Sequence, residues 1–332
     1  MKPVLLIDFG STNTKVTAVD LDAERLLGSA AAYTTVQTDV NEGLENALSE
    51  LFEKTGPLEF AARYACSSAA GGLRMVTSGL VPELTAEAAR QASLGAGAKV
   101  LKVFSFQLTE DDLDEIRALR PDIFLLVGGT DGGNTECILH NARMLARMEF
   151  DFPVVIAGNR VAARECARIL AGHDVSVCEN VMPKFGVLNI EPTQKRIREI
   201  FLSRIIQAKG LSRAAQLISG ILMPTPSAVL KAMELLAQGT DDEPGIGDLV
   251  AVGGATTDVY SISDGMPTAL STVYKGLPEP YAKRTVEGDI GMRYSVRGIV
   301  EAVGLKRLSE ESGLPPEAVS EMVETLAAHT DM

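Results

Sequence analysis

The chain has 332 residues, room for two or three compact domains, because a single hydrophobic core stops growing near ~250–300 residues. Lysine and arginine number 31 against 44 aspartate and glutamate, so the net acidic surface argues against nucleic acid as a partner. The opening apolar run, residues 4–7, is too short for a signal-peptide core, and no later stretch approaches the ~20 apolar residues that span a bilayer, so the expectation is a soluble, cytoplasmic protein without a membrane partner.

The run 4–7 is bounded by Lys2-Pro3 and Asp8-Phe9-Gly10, and a second run, 16–19, follows the polar stretch Ser11-Thr12-Asn13-Thr14-Lys15. That spacing predicts a β-hairpin, not a strand feeding a helix. From residue 64 the pattern changes to short apolar strands at 64–67, 100–106, 123–127, 154–157 and 175–178, separated by amphipathic stretches at 85–94, 110–119, 135–148 and 160–170. Such alternation predicts a doubly wound parallel sheet with helices on both faces. Residues 191–207 have apolar side chains at helical spacing, and Pro226-Ser227 supplies a start for a helix over 228–236. After an exposed loop at 239–247, strands at 249–252 and 259–262 flank Gly253-Gly254-Ala255-Thr256-Thr257-Asp258, a second hairpin built like the first. The tail from 308 reads as helical, with Pro315-Pro316 opening its last helix. The organisation expected is three parts: 1–60 with the first hairpin, 61–190 as an inserted flavodoxin-like domain, and 191–332 with helices and the second hairpin.

Four cysteines, Cys66, Cys137, Cys166 and Cys178, form no CxxC pair, and the chain has three histidines, so they read as reduced, packed thiols and not as a zinc site or a disulfide framework.

The two turns carry the strongest chemical signal. Glycine lets backbone approach an anion, and successive N–H groups beside hydroxyls can wrap phosphate oxygens. On that reading Gly10, Ser11, Thr12, Asn13, Thr14 and Lys15 from the first turn, with Gly253, Gly254, Ala255, Thr256 and Thr257 from the second, contact a nucleotide, and Asp8 holds Mg²⁺ through water. Neither turn has Walker A or GxGxxG spacing. Either one alone could be only a turn. Two such hairpins separated by a large insertion are what an actin-like fold uses to grip a triphosphate from opposite lobes.

A third glycine-rich stretch, Gly128-Gly129-Thr130-Asp131-Gly132-Gly133-Asn134, follows an apolar strand and precedes a helix, the position where open α/β sheets hold ligands. Thr130, Asp131, Gly132, Gly133 and Asn134 are therefore candidate ligand contacts; the plainer reading is a tight turn with Asn134 as helix cap. Ser67-Ser68-Ala69-Ala70-Gly71-Gly72 ends another strand and either lines the same edge or allows close packing. Glu287 and Asp289, in the run Lys283-Arg284-Thr285-Val286-Glu287-Gly288-Asp289, are candidate metal or switch carboxylates, or part of a solvated charge run.

These segments, together with Ala157-Gly158-Asn159, Glu179-Asn180-Val181-Met182-Pro183 and Met223-Pro224-Thr225-Pro226, resemble the glutamate mutase accessory proteins called GlmL or MutL, over essentially the whole chain. The second name is shared with an unrelated mismatch-repair protein. The resemblance implies an actin-like ATPase (ribonuclease H-like) fold of the sugar kinase and Hsp70 superfamily, with an inserted parallel α/β domain. It also implies ATP/ADP and Mg²⁺ as cofactors, and an adenosylcobalamin-dependent mutase as the partner to be protected or reactivated.

Two departures stand out against that pattern. Relatives usually place an aspartate two residues before the second Gly-Gly, where this sequence has Ala251; that puts rapid hydrolysis in doubt and leaves Asp258 either to serve the metal and catalysis or to cap the turn. Family members usually continue into a third glycine motif for the adenosine, and no such motif is evident before Met332, so a fragment or short form is expected. The inserted domain lacks the Asp-x-His-x-x-Gly signature that ligates cobalt, and His140, His173 and His329 stand in other contexts, so the domain is expected to dock on the mutase and not to bind cobalamin. Three function classes remain open: a reactivating ATPase, a small-molecule kinase of the same superfamily, and a nucleotide-binding scaffold without turnover.

Overall fold

Period-two alternation builds the first sheet. Along Pro3–Phe9 (β1) and Asn13–Asp20 (β2), Leu5, Ile7, Phe9, Val16 and Ala18 are buried, and the antiparallel register sets Asp8 opposite Lys15. Arg25–Tyr33 (β3) adds antiparallel to β2, and the helix Val40–Thr55 (α1) lays Leu44, Ala47 and Leu51 against the same buried face. Ala62–Ser67 (β4) pairs parallel with β1, and Leu222–Pro224 (β10) parallel with β4, giving the order β10-β4-β1-β2-β3.

The chain between β4 and β10 forms a second sheet. Leu73–Gly79 (β5), Ala98–Ser105 (β6), Ile123–Leu126 (β7), Val154–Ile156 (β8) and Val175–Val177 (β9) are all parallel, in the order β6-β5-β7-β8-β9. That is the flavodoxin-like 2-1-3-4-5 order, whose switch point lies between the first and third strands. A π-helical turn, Pro82–Ala86, runs into Glu87–Gly95 (α2), and Glu110–Leu119 (α3), Glu136–Leu145 (α4) and Arg160–Ile169 (α5) complete the alternation. The helix Glu191–Ala208 (α6) follows, and Thr225–Gln238 (α7) continues directly from β10. One face of the parallel sheet joins the core of the first sheet through Met75, Leu125 and Val155; the other packs Val76, Leu126 and Ile156 against Ile138 and Leu113. Strands buried on both faces read as continuous apolar runs, which is why β7 and β8 are plain in the sequence.

The strand expected at 64–67 as the opening of the parallel domain belongs to the first sheet; β5 occupies that place. Thr77 and Ser78 lie fully buried in β5, and their polarity masks it as a strand.

The structure, a computed structural model, describes residues 2–10, 13–34, 40–68, 73–208, 222–252, 257–266, 276–287 and 296–328. It divides into two compact units: 1–229 with 267–280, and 230–266 with 281–332. In the second unit, Leu249–Val252 (β11), Thr257–Ile262 (β12) and Ala282–Glu287 (β13) form an antiparallel sheet in that order. The helices Val296–Val303 (α8), Leu305–Ser312 (α9) and Pro316–Ala328 (α10) follow, the last opened by proline as expected. The charge run 283–287 therefore lies in a strand. Among the described residues no helix is long and apolar enough to cross a membrane.

Candidate functional site

Three parallel strands, β1, β4 and β10, end together at one edge of the first sheet. The register sets Asp8 beside Cys66, and Met223 beside Cys66 on the other side, so the residue after β10, Thr225 at the start of α7, reaches the same carboxylate. Thr225 Oγ1 donates to Asp8 Oδ1 at 2.8 Å and the Cys66 thiol donates to the same oxygen at 3.4 Å. On the other oxygen, Lys15 Nζ stands 3.9 Å from Oδ2, with the lysine side chain 63% exposed and that of Asp8 27%. Burial and the Asp8 carboxylate push the Cys66 thiol up to about 12, so it is a neutral donor.

Asp8, Lys15, Tyr64, Cys66 and Met223 line a mostly apolar cavity of about 520 Å³ on the sheet face opposite α1. The turn beside it is closed by Gly10 N donating to Asn13 O at 3.1 Å, and a Cβ at Gly10 would lie 2.5 Å from that same oxygen, so the position admits only glycine. Thr14 does not join this surface: alternation turns it inward, fully buried, with its hydroxyl 3.0 Å from that of Thr34. Asn13 and Lys15 face outward; Ser11 and Thr12 lie outside the described residues. A lone carboxylate beside a cation and a glycine-closed turn suits Mg²⁺ that keeps its waters and is shared with phosphates. Among the described residues no group of three or more His, Cys, Asp or Glu is assembled for a metal.

The stretch 128–134 lies between β7 and α4 at the carboxyl end of the parallel sheet, as expected, and several of its polar groups are bonded within the domain. Asn159 accepts from Gly132 N and Val161 N and donates to the carbonyls of Gly133 and Asn134. Asn180 donates to Gly129 O and Asp131 Oδ1 and accepts from Met182 N. Asp131 also accepts from Arg160 N, so a carboxylate of the chain already occupies the α5 N-terminus where an anion would bind. Asn134 accepts from Cys137 N, the capping role that was the plainer reading. Thr130 packs under Gly133, where a Cβ would meet its hydroxyl. The segments holding Asn159 and Asn180 stand out in the sequence without a role for either asparagine; an asparagine one or a few residues after a short apolar strand is the signal that points to such a brace.

In the second unit, 253–256 and Asp289 lie outside the described residues. Asp258 sits in β12, buried, with Arg284 of β13 donating to its Oδ1 from Nε at 2.9 Å and Nη2 at 2.6 Å. Arg284 is thus the counter-charge of this buried carboxylate. Thr257 pairs with Glu287 across the same ladder. Thr225 and Cys66, which touch Asp8, were not among the expected site residues.

The family described as MutL protein matches residues 4–332. Protein MutL of Clostridium tetanomorphum is 53% identical over 316 residues, 93% of this chain and 68% of that protein. Among solved structures, nucleotide-free acetone carboxylase, from work on ATP-dependent acetone carboxylation, gives a TM-score of 0.37 at 16% identity, covering 87% of this chain and 48% of that one. The ADPNP-bound activator of 2-hydroxyisocaproyl-CoA dehydratase from Clostridium difficile gives 0.18 at 11%, covering 61% and 97%. Superpositions this loose carry no argument. A match running from residue 4 to residue 332, joined by a relative at 53% identity, is decisive on its own: the chain belongs to the MutL protein family.

Proposed function

We propose that this chain is an ATP-binding accessory factor that protects or reactivates a cytoplasmic, adenosylcobalamin-dependent mutase of the glutamate mutase or aminomutase kind. The observation that carries the nucleotide half is the meeting of Asp8, the Gly10 turn and Lys15 where β1, β4 and β10 end. Carboxyl ends of parallel strands are where such sheets hold ligands. The order β10-β4-β1-β2-β3, with the parallel domain inserted between β4 and β10, supports an actin-like, ribonuclease H-like lobe. The partner half rests on family membership.

In this reading the backbone of 10–13 wraps phosphate oxygens, Lys15 pairs with them, and Asp8 holds Mg²⁺ through water. The metal supplies neutralisation of phosphate charge. The turn at 253–257, Glu287 and Asp289 are kept as candidate nucleotide contacts of the second unit. In this reading the 128–134 loop takes no part in phosphate binding: Gly132 N donates to Asn159, Asp131 N to Pro183 O and Gly133 N to Thr130 O, and the Asp131 carboxylate sits at the α5 N-terminus.

A second reading, a nucleotide-binding scaffold without turnover, is favoured by the Arg284–Asp258 pair and by alanine at 251. Calorimetry with Mg²⁺-ATP, followed by an ATPase assay with and without glutamate mutase carrying damaged cobalamin, separates the two. Stimulated turnover is the result expected of a reactivating factor, binding without turnover is that of a scaffold, and absence of binding removes both.

A further inference from the structure

We propose that Thr225 is a positioning residue for Asp8, seconded by Cys66: it fixes one carboxylate oxygen so that the other is presented to the Mg²⁺-nucleotide. This rests on the nucleotide reading above, and concerns residues to which that reading gives no part.

An aspartate at the end of a strand has a broad terminal torsion, so its carboxylate plane is not set by its own rotamer. Here two donors converge on Oδ1, Thr225 Oγ1 at 2.8 Å and Cys66 Sγ at 3.4 Å, while Oδ2 lies 3.9 Å from Lys15 Nζ, and both Asp8 and Lys15 line the cavity. A hydroxyl donating to an ionised carboxylate is stronger than one donating to a neutral group, and it selects one orientation of the acceptor.

The donor is itself held on rigid elements. Thr225 sits where β10 passes into α7; the preceding residue, Pro224, is in register with Ser67 of β4, and Pro226 occupies the first turn of the helix, where its fixed φ suits helical geometry. Two residues on, the buried Ser227 hydroxyl donates to Ala96 O at 2.8 Å and ties the start of α7 to the end of α2. The backbone that carries Thr225 is therefore anchored independently of Asp8, and its hydroxyl holds the carboxylate from that fixed base. A site held within a fraction of an ångström needs support of this kind behind the ligating group.

A purely structural hydrogen bond would change stability and leave metal dependence alone, which makes the two roles separable. The test titrates ATP into the full chain by calorimetry across a range of Mg²⁺ and in EDTA, for wild type, Thr225→Val, Thr225→Ser and Asp8→Ala. Loss of one hydrogen bond to a charged group predicts that Thr225→Val raises the Mg²⁺ needed for half-maximal nucleotide binding about tenfold, leaving metal-free ATP affinity unchanged, and that Thr225→Ser restores it to within about twofold. Thermal unfolding of each variant without nucleotide checks folding; should valine prevent it, Thr225→Ala carries the same comparison. Wild-type Mg²⁺ dependence in the valine or alanine variant overturns the proposal. So does a folded serine variant that restores nothing, or an equal loss with and without metal. If Asp8→Ala abolishes Mg²⁺-dependent binding while Thr225→Val keeps the wild-type Mg²⁺ dependence, positioning alone falls; if wild type binds no Mg²⁺-ATP, the nucleotide reading falls with it.

Discussion

The turn after β1 and the loop after β7 both follow an apolar strand, both set glycine beside hydroxyl and amide side chains, and both lie at the carboxyl ends of parallel strands. Their polar groups have different destinations. Around β7, the Asn159 and Asn180 side chains together close five hydrogen bonds onto residues 129–134, and Asp131 covers the N-terminus of α5. Around β1, one oxygen of Asp8 is fixed from behind, and Lys15 extends outward beside a cavity. Glycine content thus marks a place where backbone must pass closely, and where the neighbouring donors point decides whether a ligand or the protein itself benefits.

The largest expected effect lies in the inward-turned loop. Gly129 has φ +70°, and a Cβ there would fall 2.2 Å from Asn134 O. Gly129→Ala combines a left-handed conformation with a backbone collision, and should cost about 4 kcal/mol in urea unfolding. A loss under about 1 kcal/mol would mean that the loop adapts easily, and the contrast with the first turn would dissolve. Next comes Asn180→Ala, which leaves buried Gly129 O and Met182 N without their partner and should cost about 2–3 kcal/mol. The nucleotide affinity of Asn180→Ala should stay at the wild-type value if that loop has no phosphate role; a selective loss of affinity in a stably folded variant would return 128–134 to the binding site.

What could be read in advance follows the range of the forces concerned. The β1–β2 and β11–β12 hairpins are legible because alternation and a polar turn are local signals, and α3 runs over 110–119 as expected, where Thr109 and Asp112 form a capping box. β5 is obscured because a central strand can bury Thr77 and Ser78, and β13 because Arg284, which looks solvated in a charge run, turns inward to Asp258. The contact between Thr225 and Asp8 joins positions 217 apart, and no period in a sequence reports such a pairing. Asn134 as a cap was visible, being three residues from its target; Asn159 and Asn180 as braces were not, because their targets lie 26 and 51 positions away along the chain.

A smaller effect on stability, and a sharper one on binding, is expected at Asp8. Asp8→Asn keeps an acceptor for Thr225 and removes the charge beside Lys15, a partly exposed pair of little energetic weight, so unfolding should shift by less than about 1 kcal/mol. Mg²⁺-ATP affinity should fall at least about tenfold in the same variant. Equal affinities by calorimetry would put the proposed site elsewhere; a large loss of stability would make the first turn as self-engaged as the second.

The smallest expected effect compares two thiols, one in each region. Cys166, buried against Ile138 O, is pushed up to about 11 by desolvation, and Cys66, at the cavity, to about 12 by burial and then by Asp8. Both folded values lie above the unfolded 9.0, so the folded state holds protons that the unfolded chain releases. The stability tied to these thiols is complete below pH 9 and declines as pH rises towards 11 for Cys166 and 12 for Cys66. Replacing Asp8 by asparagine removes the charge that opposes the Cys66 thiolate but leaves Cys166 untouched. Alkylation by iodoacetamide at pH 8, followed residue by residue with peptide mass spectrometry, should therefore quicken several-fold at Cys66 and remain constant at Cys166, because the thiolate is the reacting species. An unchanged Cys66 rate would mean that its thiol does not face the carboxylate, and that Asp8 is oriented by Thr225 alone; a rise at both would mean that the substitution loosens the parallel domain as well as the turn.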